Sequence, residues 1–179
     1  MQILKQGKYW ASLALAVAGL LSGVAHADSG TDTAGTGSGE FLSWIDSKPI
    51  NEVWLNPGFL SYHWDRDKDL NGDNYGFGGE YRFSTVASLT AGDFYNSDRA
   101  HSKYAGIYYQ PIGIGPVRFG AVIGGFDGYP KEKNGGWFPA FIPVASYEYK
   151  MVGLNLAFVP SYQDRLYGAL TFQLKLKVY

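Results

Sequence analysis

Residues 167–179 constrain the fold of this chain more than any other stretch. Leu170, Phe172, Leu174, Leu176 and Val178 occupy alternate positions, with Thr171, Gln173, Lys175 and Lys177 between them. A period of two is the mark of a strand with two unlike faces. A lysine turned toward lipid costs about 2–4 kcal/mol at the middle of a bilayer. Lys175 and Lys177 therefore mark a polar side, and the large apolar residues mark a side that meets something oily.

The pattern recurs. Eight strand-like runs are read at 58–65, 74–83, 86–95, 103–110, 116–126, 138–150, 154–160 and 167–179. In the second, Tyr75, Phe77, Tyr81 and Phe83 share one face, and Asn74, Gly76, Gly78, Glu80 and Arg82 share the other. Connections alternate between long polar segments (65–74, 96–102, 127–136, 161–166) and short turns (84–85, 111–115, 151–153). Aromatic content of 17 % and 24 glycines accompany the alternation. These features predict an all-β fold: an eight-stranded antiparallel transmembrane β-barrel, with long loops extracellular and short turns periplasmic. An exported lipocalin-like barrel is the soluble alternative, and it would turn its apolar faces inward.

The N-terminus reads as an export signal. Lys5 and Lys8 precede an apolar run interrupted by small residues, which ends at Ala25-His26-Ala27. The run is short of the roughly 20 apolar residues a membrane helix needs, so 1–27 is expected to be a signal peptide cleaved after Ala27. A retained anchor helix is the alternative. Residues 28–39 read as a flexible linker. Phe41, Leu42, Trp44 and Ile45 fall near one side of a helix, which predicts a short amphipathic helix over 40–50 at the membrane interface; an irregular lead-in strand is the other reading. The barrel is assigned to 51–179. Loss of Lys5 and Lys8 takes the net charge from −1 to −3, the wrong sign for a nucleic-acid partner. The chain has no cysteine and no His/Cys cluster with zinc spacing, so neither a metal nor another cofactor is expected.

Strand counting brings distant residues to one rim. His63 ends the first run and Asn96-Ser97 ends the third, both at the extracellular end. A neutral imidazole can take a proton from a hydroxyl, and Ser or Asn can orient it or hydrogen-bond a developing oxyanion, so the three can form an acyl-transfer site. A solvated or interfacial imidazole is the competing reading. Asp65, Asp67 and Asp69 suit either a solvated loop or a divalent cation bridging lipopolysaccharide phosphates. Arg99, His101 and Lys103 suit surface charge or phosphate contacts. Glu80 and Arg82 share the inward face, where Lys175 or Lys177 can complete a structural polar network.

Over most of the mature length the chain resembles the outer-membrane lipid A palmitoyltransferases (the PagP family). The residues that carry the resemblance are 57–67 around Tyr62-His63, then Phe94-Tyr95-Asn96-Ser97, then Ile142-Pro143-Val144-Ala145-Ser146-Tyr147 followed by 153–158 and Val159-Pro160. The resemblance implies that a palmitoyl chain passes from a glycerophospholipid donor in the outer leaflet to a hydroxyl of lipid A, with His63 as base and Ser97 positioning or polarising the ester. It implies that Pro143 and Pro160 border a lateral gate for lipid; proline lacks the donor that strand pairing needs. Asn96 stands where the family usually has Asp, which leaves His63 without a charged partner there; Asp65 and Asp93 are the candidate replacements. The acyl-pocket floor, commonly Gly in the family, falls at Tyr108. An inward Tyr108 implies altered chain-length selectivity, and an outward one implies a girdle residue.

The expected protein is thus a monomeric acyltransferase of the cell outer membrane. The alternatives are a lipid A deacylase or phospholipase on a similar barrel, and a non-enzymatic barrel that stabilises the envelope or binds a ligand through its loops.

Overall fold

The computed structural model describes residues 41–161 and 166–179. The expected signal peptide and linker lie outside the described residues. Nine strands follow in chain order: β1 (Leu42–Trp44), β2 (Pro49–His63), β3 (Asp73–Ser84), β4 (Ala87–Tyr95), β5 (His101–Ile114), β6 (Val117–Phe126), β7 (Phe138–Tyr149), β8 (Val152–Val159) and β9 (Ala169–Lys177). Each strand from β2 to β9 pairs antiparallel with the next, and β9 pairs back onto β2. The sheet is an eight-stranded closed barrel. Long connections (64–72, 96–100, 127–137, 160–168) gather at one rim, and short turns gather at the other with the ends of the described chain.

The faces are inverted relative to a water-soluble barrel. Outward residues such as Phe77 (62 % exposed), Leu174 (59 %) and Ile123 (58 %) are apolar and bare, whereas inward Lys175 is 3 % exposed and Glu80 4 %. Closure pairs every wall strand on both sides, apart from the loop-side ends of β7 and β8. The half of the lumen nearer the short turns is filled by an ionic network. Glu148 receives Arg82 (2.6 Å), Arg118 (2.6 Å) and Lys175 (2.7 Å). Lys175 also reaches Glu80 at 2.7 Å, and Glu52 holds Arg82 (3.0 Å) and Lys177 (3.1 Å). The ammonium of Lys175 lies 4.8 Å above the Trp54 ring. Charges this deep are tolerable only because each has an opposite partner. Toward the loop rim the lumen is aromatic: Phe59, Phe94, Tyr104, Phe126 and Phe138 meet with centroids 5.2–6.2 Å apart.

The amphipathic helix expected over 40–50 is not formed. Leu42–Trp44 is strand β1, paired antiparallel to Ile112–Ile114 of β5. The end of β5 runs past the start of β4, so its backbone groups need another partner; β1 supplies it, and the Ile45 amide donates to the Pro111 carbonyl at 2.8 Å. A run this short, closed by Pro49, cannot repay helix nucleation.

Two strands are longer than their sequence pattern. Pro57 and Gly58 look like a strand start, yet β2 begins at Pro49 and passes through both. Register shifts flank them, between Asn56 and Gly58 against β3 and between Leu55 and Leu60 against β9. Gly58 has φ = 100°, a bulge conformation that side chains disfavour. Pro111 likewise sits inside β5, at the shift between Tyr109 and Ile112, rather than opening a corner.

Candidate functional site

His63 is the last residue of β2 and Ser97 the second residue of the β4–β5 loop. They meet at the loop rim, with His63 Nε2 and Ser97 Oγ 2.8 Å apart in a hydrogen bond. The β2–β3 loop holds the pair in place: the Asn71 amide donates to the Ser97 carbonyl at 3.0 Å, and Asn71 Nδ2 donates to the Asn96 carbonyl at 3.3 Å. His63 pairs with Ala169 of β9 in register, so its side chain shares the inward face.

Asn96 does not join them. It has no exposed surface, and its amide is fully engaged in folding its own loop. Oδ1 accepts from the Asp98 and Ala100 amides, both at 2.9 Å. Nδ2 donates to Ser102 Oγ (2.8 Å) and to the Gly128 carbonyl (2.9 Å). Asn96 therefore sets where Ser97 stands and has no hydrogen-bonding capacity left for His63, which corrects its expected place in the catalytic group. Asp93 is no substitute: it is exposed on the outer face of β4, between Phe77 and Lys103. Partial burial is the largest influence on the imidazole and lowers its pKa, and the carboxylates of Asp98 and then Asp65 oppose that shift. Asp98, adjacent to Ser97, was not singled out from sequence; its place beside a candidate hydroxyl was the available signal.

Tyr108 faces inward on β5 and is buried. It is not the floor of an open pocket, because Tyr104, Phe94, Phe59 and Phe126 occupy the lumen between it and the rim. The cavity lined by Thr90, Tyr104, Gly106, Val122, Gly124 and Phe126 is about 10 Å³, room for one water. The Asp65–Asp69 loop is occupied with other contacts: Arg66 lies 4.7 Å over the Tyr62 ring and donates to its hydroxyl, and Asp69 pairs with Arg99 at 3.2 Å. Among the described residues no three His, Cys, Asp or Glu side chains converge as metal ligands.

The two prolines flank a break in the wall. The β7–β8 ladder runs from Tyr149↔Val152 only to Val144↔Ala157. Pro143 is the next residue of β7, and Pro160 directly follows β8. Residues 138–143 of β7 stay paired to β6 and have no partner on β8. Across the inner wall, Val159 pairs with Ala169 and Ala169 with His63. The break therefore lies two strand spacings, about 10 Å, from the His63–Ser97 pair.

No family model and no curated protein sequence matches the chain. Among solved structures it is similar to the solution NMR structure of a de novo designed protein, TMB2.3, over 72 % of this chain and 96 % of that one, with a TM-score of 0.50 and 16 % identity. That likeness shows the barrel fold.

Proposed function

We propose that this chain is an outer-membrane enzyme that moves an acyl chain from a glycerophospholipid to a hydroxyl of lipid A. The observation that carries the reading is the 2.8 Å contact between His63 Nε2 and Ser97 Oγ at the loop rim of an inverted barrel. The bare apolar exterior belongs in a bilayer, and that contact stands at the level of a leaflet interface, where ester and acceptor hydroxyl are both within reach.

In the reaction, His63 is the tautomer whose Nε2–H donates to Ser97 Oγ, so the Ser97 hydrogen is free for the ester and Nδ1 takes the proton of the acceptor hydroxyl as its oxygen attacks the ester carbonyl. Ser97 donates a hydrogen bond to the carbonyl oxygen as negative charge builds there. Collapse of the tetrahedral intermediate breaks the ester C–O bond, and the proton returns from His63 to the departing lysophospholipid oxygen. Water in place of the acceptor turns the same chemistry into hydrolysis, so the lipid hydroxyl must seal the site. The break bordered by Pro143 and Pro160 is the lateral route by which a chain leaves the bilayer for this site. Purified barrel in vesicles holding phospholipid and lipid A tests the reading: mass spectrometry should find lipid A heavier by one acyl chain and lysophospholipid in equal amount.

A second reading, a non-catalytic envelope barrel, is favoured by one observation: aromatic rings fill the lumen where an acyl chain would lie. It predicts no acyl transfer and no effect of His63 or Ser97 substitution on lipid A.

A further inference from the structure

The gap between β7 and β8 is not open at its top. Lys131, in the β6–β7 loop, donates from Nζ to the Tyr167 hydroxyl in the β8–β9 loop at 3.0 Å, and its ammonium lies 4.9 Å from the centroid of the same ring. The two loops belong to the strands on either side of the break, so this contact passes over it. Both ends are anchored. The Gly168 amide donates to Ser161 Oγ at 3.0 Å and the Trp64 amide to the Gly168 carbonyl at 3.2 Å; a side chain at Gly168 would collide with Ser161 and Trp64. On the other side the Glu132 amide donates to the Tyr129 carbonyl at 3.0 Å, and the Tyr129 ring packs edge-on against Phe138, the first residue of β7.

We propose that Lys131 and Tyr167 form a clasp that holds the β7–β8 gap shut at the rim and sets how fast a lipid chain passes from the bilayer to the inner wall beside His63. The clasp regulates the site of the proposed acyl transfer and rests on that reading for its purpose, but not for its test. Where pairing stops, the two strands have no backbone hydrogen bonds to hold them together. A charge-assisted hydrogen bond from Lys131 across the rim then adds to what keeps them closed.

Ala169 lies on the inner wall between Val159 and His63 in register, and the chain has no cysteine. Ala169→Cys thus provides a single thiol behind the gap. The folded protein in phosphatidylcholine vesicles is exposed to a phospholipid whose acyl chain ends in a maleimide, and labelling is followed by mass spectrometry. Lys131→Gln, which removes both the charge and the ring contact, should speed labelling about tenfold; Tyr167→Phe, which keeps the ring, should speed it about threefold. Lys103→Gln, at an exposed lysine of β5, should not change it. Equal rates in all forms, equal acceleration by Lys103→Gln, or no labelling in any form overturns the proposal. Labelling needs no catalysis, so absence of acyl transfer by the wild-type barrel would defeat the enzyme reading and leave this measurement intact. The two clasp variants change different loops, so misfolding of one leaves the other to decide.

Discussion

His63 ends β2 and Ser97 lies in the loop after β4, a strand that does not neighbour β2, yet their side chains share a hydrogen bond of 2.8 Å. β3 lies between β2 and β4 in the wall, so the contact depends on the β4–β5 loop folding back over the rim. Asn96 performs that folding. Its four side-chain hydrogen bonds tie the loop to Ser102, Gly128, Asp98 and Ala100.

Asn96→Asp is therefore expected to damage the protein, although it brings the chain nearer the family pattern. A carboxylate cannot donate to Ser102 Oγ or the Gly128 carbonyl, and it would face that carbonyl oxygen in a site without solvent. A loss of about 1–3 kcal/mol is expected, read as a lower midpoint of thermal unfolding in detergent. An unchanged midpoint would show that the loop does not depend on Asn96.

Glu148→Gln removes the hub of the lumen network. Arg118 loses the carboxylate it contacts, while Lys175 keeps Glu80 and Arg82 keeps Glu52. Removing one partner of a buried ion cluster costs about 3–5 kcal/mol. Urea unfolding of the barrel in vesicles measures the loss; a change under 1 kcal/mol, well below that range, would mean that water enters the lumen and screens the charges.

His63 acts as a base only when neutral, so acyl transfer should fall as acid protonates it and level off at higher pH. Burial already holds the His63 imidazole below its ordinary range, and Asp98 and Asp65 oppose it, so removing either carboxylate lowers the pKa further and shifts the acid limb to lower pH. Asp98→Asn should shift it further than Asp65→Asn. A shift toward higher pH would place some other group in control of the profile.

Tyr108 faces the lumen on the turn side of the Phe59, Phe94 and Tyr104 rings that fill it toward the rim. If entering chains displace the rings above it, Tyr108→Gly should lengthen the chain transferred to lipid A, as read from its mass. An unchanged chain length would assign the limit to Tyr104 or Phe94 instead.

Much of the barrel was legible because period-two alternation is a direct record of two-sidedness. Each of the eight wall strands overlaps a run read from the pattern, although β2 and β5 extend beyond theirs, and the polar faces of 74–83 and 167–179 supply Glu80, Arg82, Lys175 and Lys177 to the ionic network. Legibility failed where backbone geometry overrides residue preference. Pro57 and Pro111 read as breaks because proline usually ends a strand, but each sits at a bulge, where the missing donor does no harm. The run at 41–45 fits a helix or a strand equally well, and only the exposed end of β5 decides between them. Counting strands brought His63 and Ser97 to the same rim. It could not tell that Asn96, one residue away, is turned into its own loop, because that depends on hydrogen bonds closed over two to thirty-two residues. The aromatic filling of the lumen was hidden for a similar reason: alternation tells which face a ring takes, not how far it reaches across.

The most direct test of the central claim is the mass of lipid A from cells that lack such an enzyme and express this chain. Wild type should add one acyl chain; His63→Ala and Ser97→Ala, with the barrel folded and present in the outer membrane, should add none or nearly none. Lipid A of unchanged mass with wild type, or an equal gain with His63→Ala, would contradict the claim.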